Sequence, residues 1–233
     1  NDENHGSIIT NNMNSVVNHN IDLQIRHFQL NFGNTLTVKN GKKLTIDCEF
    51  FTNDGTIIDC NNTPTATVNG VTLDNSFGGI YIYNGGFLVK PFFSSGYGVI
   101  LTNYDFTGGE KTINVVDKDV TLFSNFTLNS GISLTVQPEL LIGGLLKTRI
   151  LTIADGNKLT IDGTLINNGV IVDQNTTESG IINNETLTND DGLIFSNHSI
   201  VDVSKNVNNV NKNVTLSSDF TLNNLTTLTV END

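Results

Sequence analysis

One phrase is written twice in this chain, as KKLTIDCEFFTNDGTIIDC from Lys42 to Cys60 and as NKLTIDGTLINNGVIVD from Asn157 to Asp173. A catalytic motif is needed once. A phrase that recurs with its turn residues and apolar spacing intact is a building unit. A longer period lies beneath it. Phe28-Gln-Leu-Asn31 with Leu36-Thr-Val38 returns as Phe126-Thr-Leu-Asn129 with Leu134-Thr-Val136, and again as Phe220-Thr-Leu-Asn223 with Leu228-Thr-Val230. The last two copies also share Val116-Asp-Lys118-Asp-Val120-Thr-Leu122 and Val210-Asn-Lys212-Asn-Val214-Thr-Leu216. This is an internal repeat of about 95 residues, with units at approximately 16–113, 114–209 and a partial 210–233. The segment LTVKNGKKLTID (Leu36 to Asp47) matches LTIADGNKLTID (Leu151 to Asp162), but the second copy starts later after its Phe126 than the first does after Phe28. The surplus falls to PELLIGGLLKTRI and its surroundings, read as an inserted rung or loop.

Within the units, apolar runs of three to five residues alternate with Gly, Asn and Asp corners, as in Thr164-Leu-Ile166, Asn168-Gly169 and Val170-Ile-Val172. Strands at that spacing, with no sustained helical apolar pattern, predict an all-β fold. Two architectures fit. In a parallel β-helix or β-solenoid, each short strand is one side of a coil and stacked coils bury an apolar column. In tandem β-sandwich domains, each unit is one immunoglobulin-sized domain, and the Asn40-Gly41 and Asp155-Gly156 corners close hairpins. The short strands, the self-similarity below the long period and the absence of a Pro/Ser-rich linker favour one elongated β-solenoid over 1–233.

The cadence of GTLINNGVIVD and LTIADGNKLTIDG resembles the Asn/Gly/Thr-rich parallel β-helix repeats of bacterial and archaeal adhesin-like surface proteins. Similar repeats occur among surface proteins of AT-rich giant viruses. The likeness spans roughly Phe28–Asp59 and Phe126–Val203 and lies in cadence, so it implies a fold and a surface role and names no activity.

Composition narrows the partners. Twelve basic residues against 24 acidic ones give a net charge of −12, which disfavours nucleic acid and anionic membrane surfaces, since both need a cationic face. No apolar run reaches the ~18 residues of a membrane span. The start, NDENHGSIIT, is polar and reads as a processed or trimmed terminus, which points towards export. An extracellular, cell-surface or virion-surface location is expected. Cys48 and Cys60 close the matching phrases Ile46-Asp47-Cys48 and Ile58-Asp59-Cys60. They form a disulfide if their strands lie side by side in register, and are otherwise two semi-buried thiols.

Chemistry is sparse. Asp190-Asp191 is the one carboxylate pair of the kind used by β-helix polysaccharide hydrolases, and no Gly-His-Gly or Arg-Ile-Lys accompanies it, so Asn189-Asp190-Asp191-Gly192 reads as a turn. A lyase reading lacks an acidic cluster beside Arg26 or Arg149, and His5, His19, His27 and His198 are isolated. Corners such as Thr52-Asn53-Asp54-Gly55 match no calcium-loop pattern. The chain reads as a non-enzyme without cofactor or metal. Seven Asn-x-Ser/Thr sites, at Asn61, Asn125, Asn175, Asn184, Asn197, Asn213 and Asn224, permit glycosylation without arguing for it.

The stretch from 76 to 109 departs from the cadence and holds nine of the 17 Phe and Tyr residues. Its Tyr81, Tyr83, Phe87, Phe92, Phe93 and Tyr97 either stack on glycans, form a subunit interface or fill a core. The third copy stops at LTVEND where its corner Gly is due, which leaves an uncapped end. Leu228 and Val230 at that end, with Ile8 and Ile9 at the other, are the expected assembly edges of a head-to-tail homopolymer. The functional expectation is a structural fibre or filament subunit. The alternatives are an adhesin segment that binds glycans and, more weakly, a polysaccharide-active β-helix enzyme.

Overall fold

The computed structural model describes residues 7–9, 14–62, 79–84, 87–88, 98–103, 114–142, 145–203 and 206–231, and of residues 7–9, 47–51, 79–84, 87–88, 141–142 and 145–146 the backbone alone. The described residues are all-β and contain no helix, so none is long and apolar enough to cross a membrane. The chain divides into two units, Asn1–Ile113 and Asn114–Asp233.

In the first unit the strands are β1 (Ser7–Ile9), β2 (Asn14–Val17), β3 (Ile21–Leu30), β4 (Thr35–Val38), β5 (Lys43–Asn53), β6 (Thr56–Asp59), β7 (Gly79–Asn84), β8 (Phe87–Leu88) and β9 (Val99–Leu101). They form two sheets, in the orders β1-β3-β5-β7-β8 and β2-β4-β6-β9. Every pairing is parallel except that of β8 with β7. A core of Val17, Phe28, Leu30, Leu36, Val38, Leu44, Ile46, Ile57 and Ile100 lies between them.

The second unit continues with β10 (Val115–Val116), β11 (Val120–Leu122), β12 (Phe126–Leu128), β13 (Ser133–Val136), β14 (Leu140–Ile142), β15 (Leu145–Lys147), β16 (Ile150–Ile153) and β17 (Leu159–Ile161). Then follow β18 (Thr164–Asn167), β19 (Val170–Asp173), β20 (Ile181–Asn183), β21 (Thr186–Thr188), β22 (Leu193–Phe195), β23 (Asn209–Val210) and β24 (Thr229–Val230). Three parallel sheets run β10-β13-β18-β21, β11-β16-β19-β22 and β12-β17-β20. The chain visits these sheets in turn, since β16, β17 and β18 and then β19, β20 and β21 fall in the sheets of β11, β12 and β13 in that order; one such passage is called a circuit. Apolar residues alternate along these strands, which turns one face inward. The inward positions stack in register, as in Val120–Leu151–Ile171–Ile194 and Phe126–Leu159–Ile181, and all of these are buried. Each such side chain contributes about 1.5–3 kcal/mol of burial.

The Asn40-Gly41 and Asp155-Gly156 corners do not close hairpins. β4 and β5 on either side of Gly41 lie in different sheets, as do β16 and β17 around Gly156. Both glycines adopt positive φ, 73° and 77°, a left-handed bend that swings the chain from one sheet to the next. The antiparallel pairing a sandwich needs is confined, among the described residues outside isolated bridges, to β7–β8 and β14–β15. The latter hairpin falls within PELLIGGLLKTRI, as an insertion. Strands paired across it are the more widely separated in sequence, as Val120 is from Leu151 and Phe126 from Leu159. Pairs that do not span it are closer, as Ile150 is to Val170 and Val170 to Leu193. The hairpin thus lengthens one circuit and leaves apolar positions facing apolar positions.

The third sequence copy is placed differently from the first two. Phe28 and Phe126 are buried in their cores, but residues 211–228, which carry Phe220, form no strand. This segment covers the outer face of the β11-β16-β19-β22 sheet. Val210, Val214, Leu216 and Phe220 pack on Ile150, Val170, Val172, Leu193 and Phe195. That cover explains why β16, β19 and β22 are buried at every position, where β11, β12, β17 and β18 of the same unit alternate.

Neighbouring circuits approach closely at the corners. A Cβ on Gly163 lies 2.3 Å from the Asn129 carbonyl oxygen and 2.4 Å from that of Ile132. Gly163→Ala is therefore expected to lower stability by about 1–3 kcal/mol, read as a lower urea midpoint at unchanged m-value.

Candidate functional site

The doubled phrase encodes a pair of corner clamps. In the first unit the Asp59 Oδ1 accepts from the Asn61 backbone N–H at 3.1 Å and from Asn61 Nδ2 at 2.6 Å. Asn61 then spans to the neighbouring circuit, where its Oδ1 accepts from the Gly41 N–H at 2.8 Å and its Nδ2 donates to the Lys42 carbonyl at 3.1 Å. In the second unit Asp173 and Asn175 repeat this arrangement. Asn175 N and Nδ2 donate to Asp173 Oδ1 at 3.1 and 2.8 Å. Asn175 Oδ1 accepts from Gly156 N–H at 2.8 Å, and its Nδ2 donates to the Asn157 carbonyl at 3.0 Å. Buried amide groups of this kind are stable only when paired, and here the bonds to Gly41, Lys42, Gly156 and Asn157 tie one circuit to the next.

Asp173 links further. Its Oδ2 accepts from the Gly180 N–H at 2.9 Å and from Ser196 Oγ at 3.0 Å. Ser196 in turn exchanges two bonds with Asn208: its N–H donates to Asn208 Oδ1 at 3.1 Å, and Asn208 Nδ2 donates to its carbonyl at 2.6 Å. A second polar ladder sits at the start of the β22 circuit, where Asn167 Nδ2 donates to Asn189 Oδ1 at 2.7 Å and to the Leu193 carbonyl at 3.0 Å. These carboxylate and amide groups hold backbone against backbone. In sequence Asn61 and Asn175 read as sequon asparagines and not as clamps, although both follow a matched Ile-Asp or Val-Asp pair at the same spacing. Both side chains are buried, so they offer no acceptor to a glycosyl donor in the folded state.

The other residues singled out from sequence fall as follows. Cys60 is a free, buried thiol, and the side-by-side premise for its disulfide with Cys48 is not met. Cys48 lies in β5, which pairs with β3 and β7, while Cys60 follows β6, which pairs with β4 and β9. Burial, reinforced by the neighbouring Asp59 carboxylate, pushes the Cys60 pKa up to about 12. Tyr81 and Tyr83 occupy alternate positions of β7, in register with Thr45 and Asp47 of β5, and Phe87 begins β8. Phe92, Phe93 and Tyr97 lie outside the described residues. Ile8 and Ile9 are in β1, which among the described residues is paired on one side only, with β3. Leu228 is 38% and Val230 67% exposed.

Asp190 and Asp191 sit on an exposed bend where Lys212 Nζ donates to the Asp191 carbonyl at 2.8 Å. Arg149 is committed to backbone, with Nη1 at 3.1 Å from the Pro138 carbonyl and Nε on that of Asp117. Asn53 of the Thr52–Gly55 corner is buried and turns its Nδ2 to the Val99 carbonyl at 3.4 Å. Among the described residues, no three His, Cys, Asp or Glu side chains gather where one metal ion could be held.

Comparison with protein-family models, with curated proteins and with solved structures finds no match for this chain.

Two measurements check the clamps and the thiol. Asn175→Ala removes the donor and acceptor that tie Gly156 and Asn157 to Asp173, so a loss of about 2–3 kcal/mol is expected in chemical denaturation. The exposed Asn213→Ala should stay within about 0.5 kcal/mol of the parent. In a Cys48→Ser chain, Cys60 should resist a thiol reagent from pH 7 to about 10 in the native state, because its thiolate is scarcely populated there. It should react at once in denaturant.

Proposed function

We propose that the chain is a non-enzymatic structural protein, a β-solenoid that serves as a fibre or filament subunit on a cell or virion surface and stacks end to end. Each circuit of the three parallel sheets is read as one coil. The observation that carries this reading is a strand edge that is unpaired among the described residues. Residues Asn208–Glu231 remake the closure seen in Asn114–Gln137. Thr229 N–H donates to the Asn208 carbonyl at 2.8 Å and Glu231 N–H to that of Val210 at 2.9 Å, as Thr135 N–H does to Asn114 at 2.8 Å and Gln137 N–H to Val116 at 3.0 Å. In the earlier ring β13 goes on to pair with β18, and Leu134 and Val136 are fully buried. In the later one β24 has a single partner, β23, among the described residues, which leaves Leu228 and Val230 facing solvent.

A strand edge with exposed apolar side chains is a template for another strand. In the first unit β1 and β2 are likewise each paired on one side only among the described residues. Joining unlike edges is a heterologous contact that grows a filament. The acidic surface supports this setting, since it resists non-specific collapse onto anionic polymers.

Negative-stain electron microscopy across a concentration series tests the reading. Filaments with a regular axial repeat are expected, and Val230→Asp should abolish them without lowering the denaturation midpoint, because Val230 is exposed in the single chain. Monodisperse short rods at every concentration would falsify end-to-end assembly. Retention of those rods on a glycan column would move the function to the Tyr81–Tyr83 strand.

A further inference from the structure

We infer that the ring formed by residues 208–231 is an exchangeable element, which covers its own β11-β16-β19-β22 sheet in one chain and seats on the same face of a second copy when chains are concentrated. Three independent features carry this.

First, the ring is closed on itself. Parallel pairing joins β23 to β24, and the Thr226 N–H donates to the Asn223 carbonyl at 3.0 Å, so these closing bonds lie within the ring itself. Second, beyond Asn208, whose backbone N–H donates to the Ile194 carbonyl at 2.8 Å, its far side is held by side chains. Thr152 Oγ1 meets Ser218 Oγ at 3.3 Å, Gln174 Nε2 donates to the Asp219 carbonyl at 2.7 Å, and Asn197 Nδ2 donates to that of Thr221 at 2.8 Å. The Asn223 N–H returns a bond to Asn197 Oδ1 at 2.8 Å, and Phe220 tilts against Phe195 with ring centroids 5.7 Å apart. Among the described residues, no backbone ladder joins 211–222 to the sheet they cover. Third, the connection into the ring is bent. Asp202, Asn206 and Asn208 take left-handed φ of 59°, 56° and 51°, a conformation that non-glycine residues adopt at a cost.

A self-closed element on a strained connection, tied to β22 by backbone at Asn208 and docked beyond it through side chains, meets the conditions for exchange between identical chains, because every interaction given up within one copy is remade in the other. The apolar ladder of Ile150, Val170, Val172, Leu193 and Phe195 is then the acceptor, and the occupant is the Val214-Leu216-Phe220 face of the second chain. The contact is lateral and separate from the axial stacking proposed above.

The test uses the Thr152–Ser218 contact in a Cys48→Ser background. A chain carrying both Thr152→Cys and Ser218→Cys should close an internal disulfide at low concentration. Chains carrying Thr152→Cys alone, mixed and equilibrated with chains carrying Ser218→Cys alone and then oxidised, should yield a covalent heterodimer. While it is the minor species, its fraction should rise about tenfold for each tenfold increase in protein, by mass action. A heterodimer yield no higher than that of Thr152→Cys mixed with the exposed Asn184→Cys overturns the exchange. So does a double variant that fails to close internally, since Ser218 then does not sit at Thr152. Filaments formed by the internally locked double variant would leave end-to-end stacking intact whatever the exchange result, so the two ideas fail separately.

Discussion

Every strand of the three parallel sheets in the second unit depends on a partner one circuit away for its backbone hydrogen bonds. Strands of three or four residues cannot stand as isolated ribbons, and burying an unpaired N–H or C=O is costly. The pairing between circuits, as of Ile150 with Val170 and Val170 with Leu193, or of Phe126 with Leu159 across the inserted hairpin, therefore sets everything else. It fixes which apolar residues meet in register, and it forces the corners to turn within a few residues.

The corner clamps follow from that constraint. Where successive circuits lie about 4.8 Å apart, a side chain bridging two corners must be short, planar and able to donate and accept at once, which is the description of asparagine. Asn61 and Asn175 do this against Gly41 and Gly156, with Asp59 and Asp173 orienting the amide. The abundance of Asn thus has a mechanical cause. So does the scarcity of charge in the interior. Asp173 is tolerated in a buried position because four donors converge on its two oxygens.

Much of this was legible beforehand. The all-β class, the alternation of core residues such as Leu159 and Ile161, and the insertion at PELLIGGLLKTRI are periodic features, and periodicity survives in a one-dimensional string. The clamps were legible only in part. IIDCN and VIVDQN repeat with the same Asp-x-Asn spacing, but the backbone that Asn61 and Asn175 reach, at Gly41 and Gly156, belongs to the preceding circuit. That distance along the chain depends on how circuits stack. The cysteines show the same limit. Matching phrases placed Cys48 and Cys60 at equivalent positions in sequence, but β5 and β6 belong to different sheets.

The third copy marks the boundary most clearly. By itself the sequence determined that residues 210–230 carry the apolar pattern of 116–136, and the local bonds agree, down to the β23–β24 closure. What the sequence could not determine was where that ring goes. Strand alternation specifies that one face of Val214, Leu216 and Phe220 must be buried, without naming the surface that buries it. In the fold, the outer face of the β11-β16-β19-β22 sheet presented an uncovered ladder of Ile150, Val170, Val172, Leu193 and Phe195, and the ring took it. Local pattern sets the shape of an element, because its bonds are short-range in sequence. Its address depends on which apolar surface remains open after every other strand has paired, and only the tertiary structure decides that.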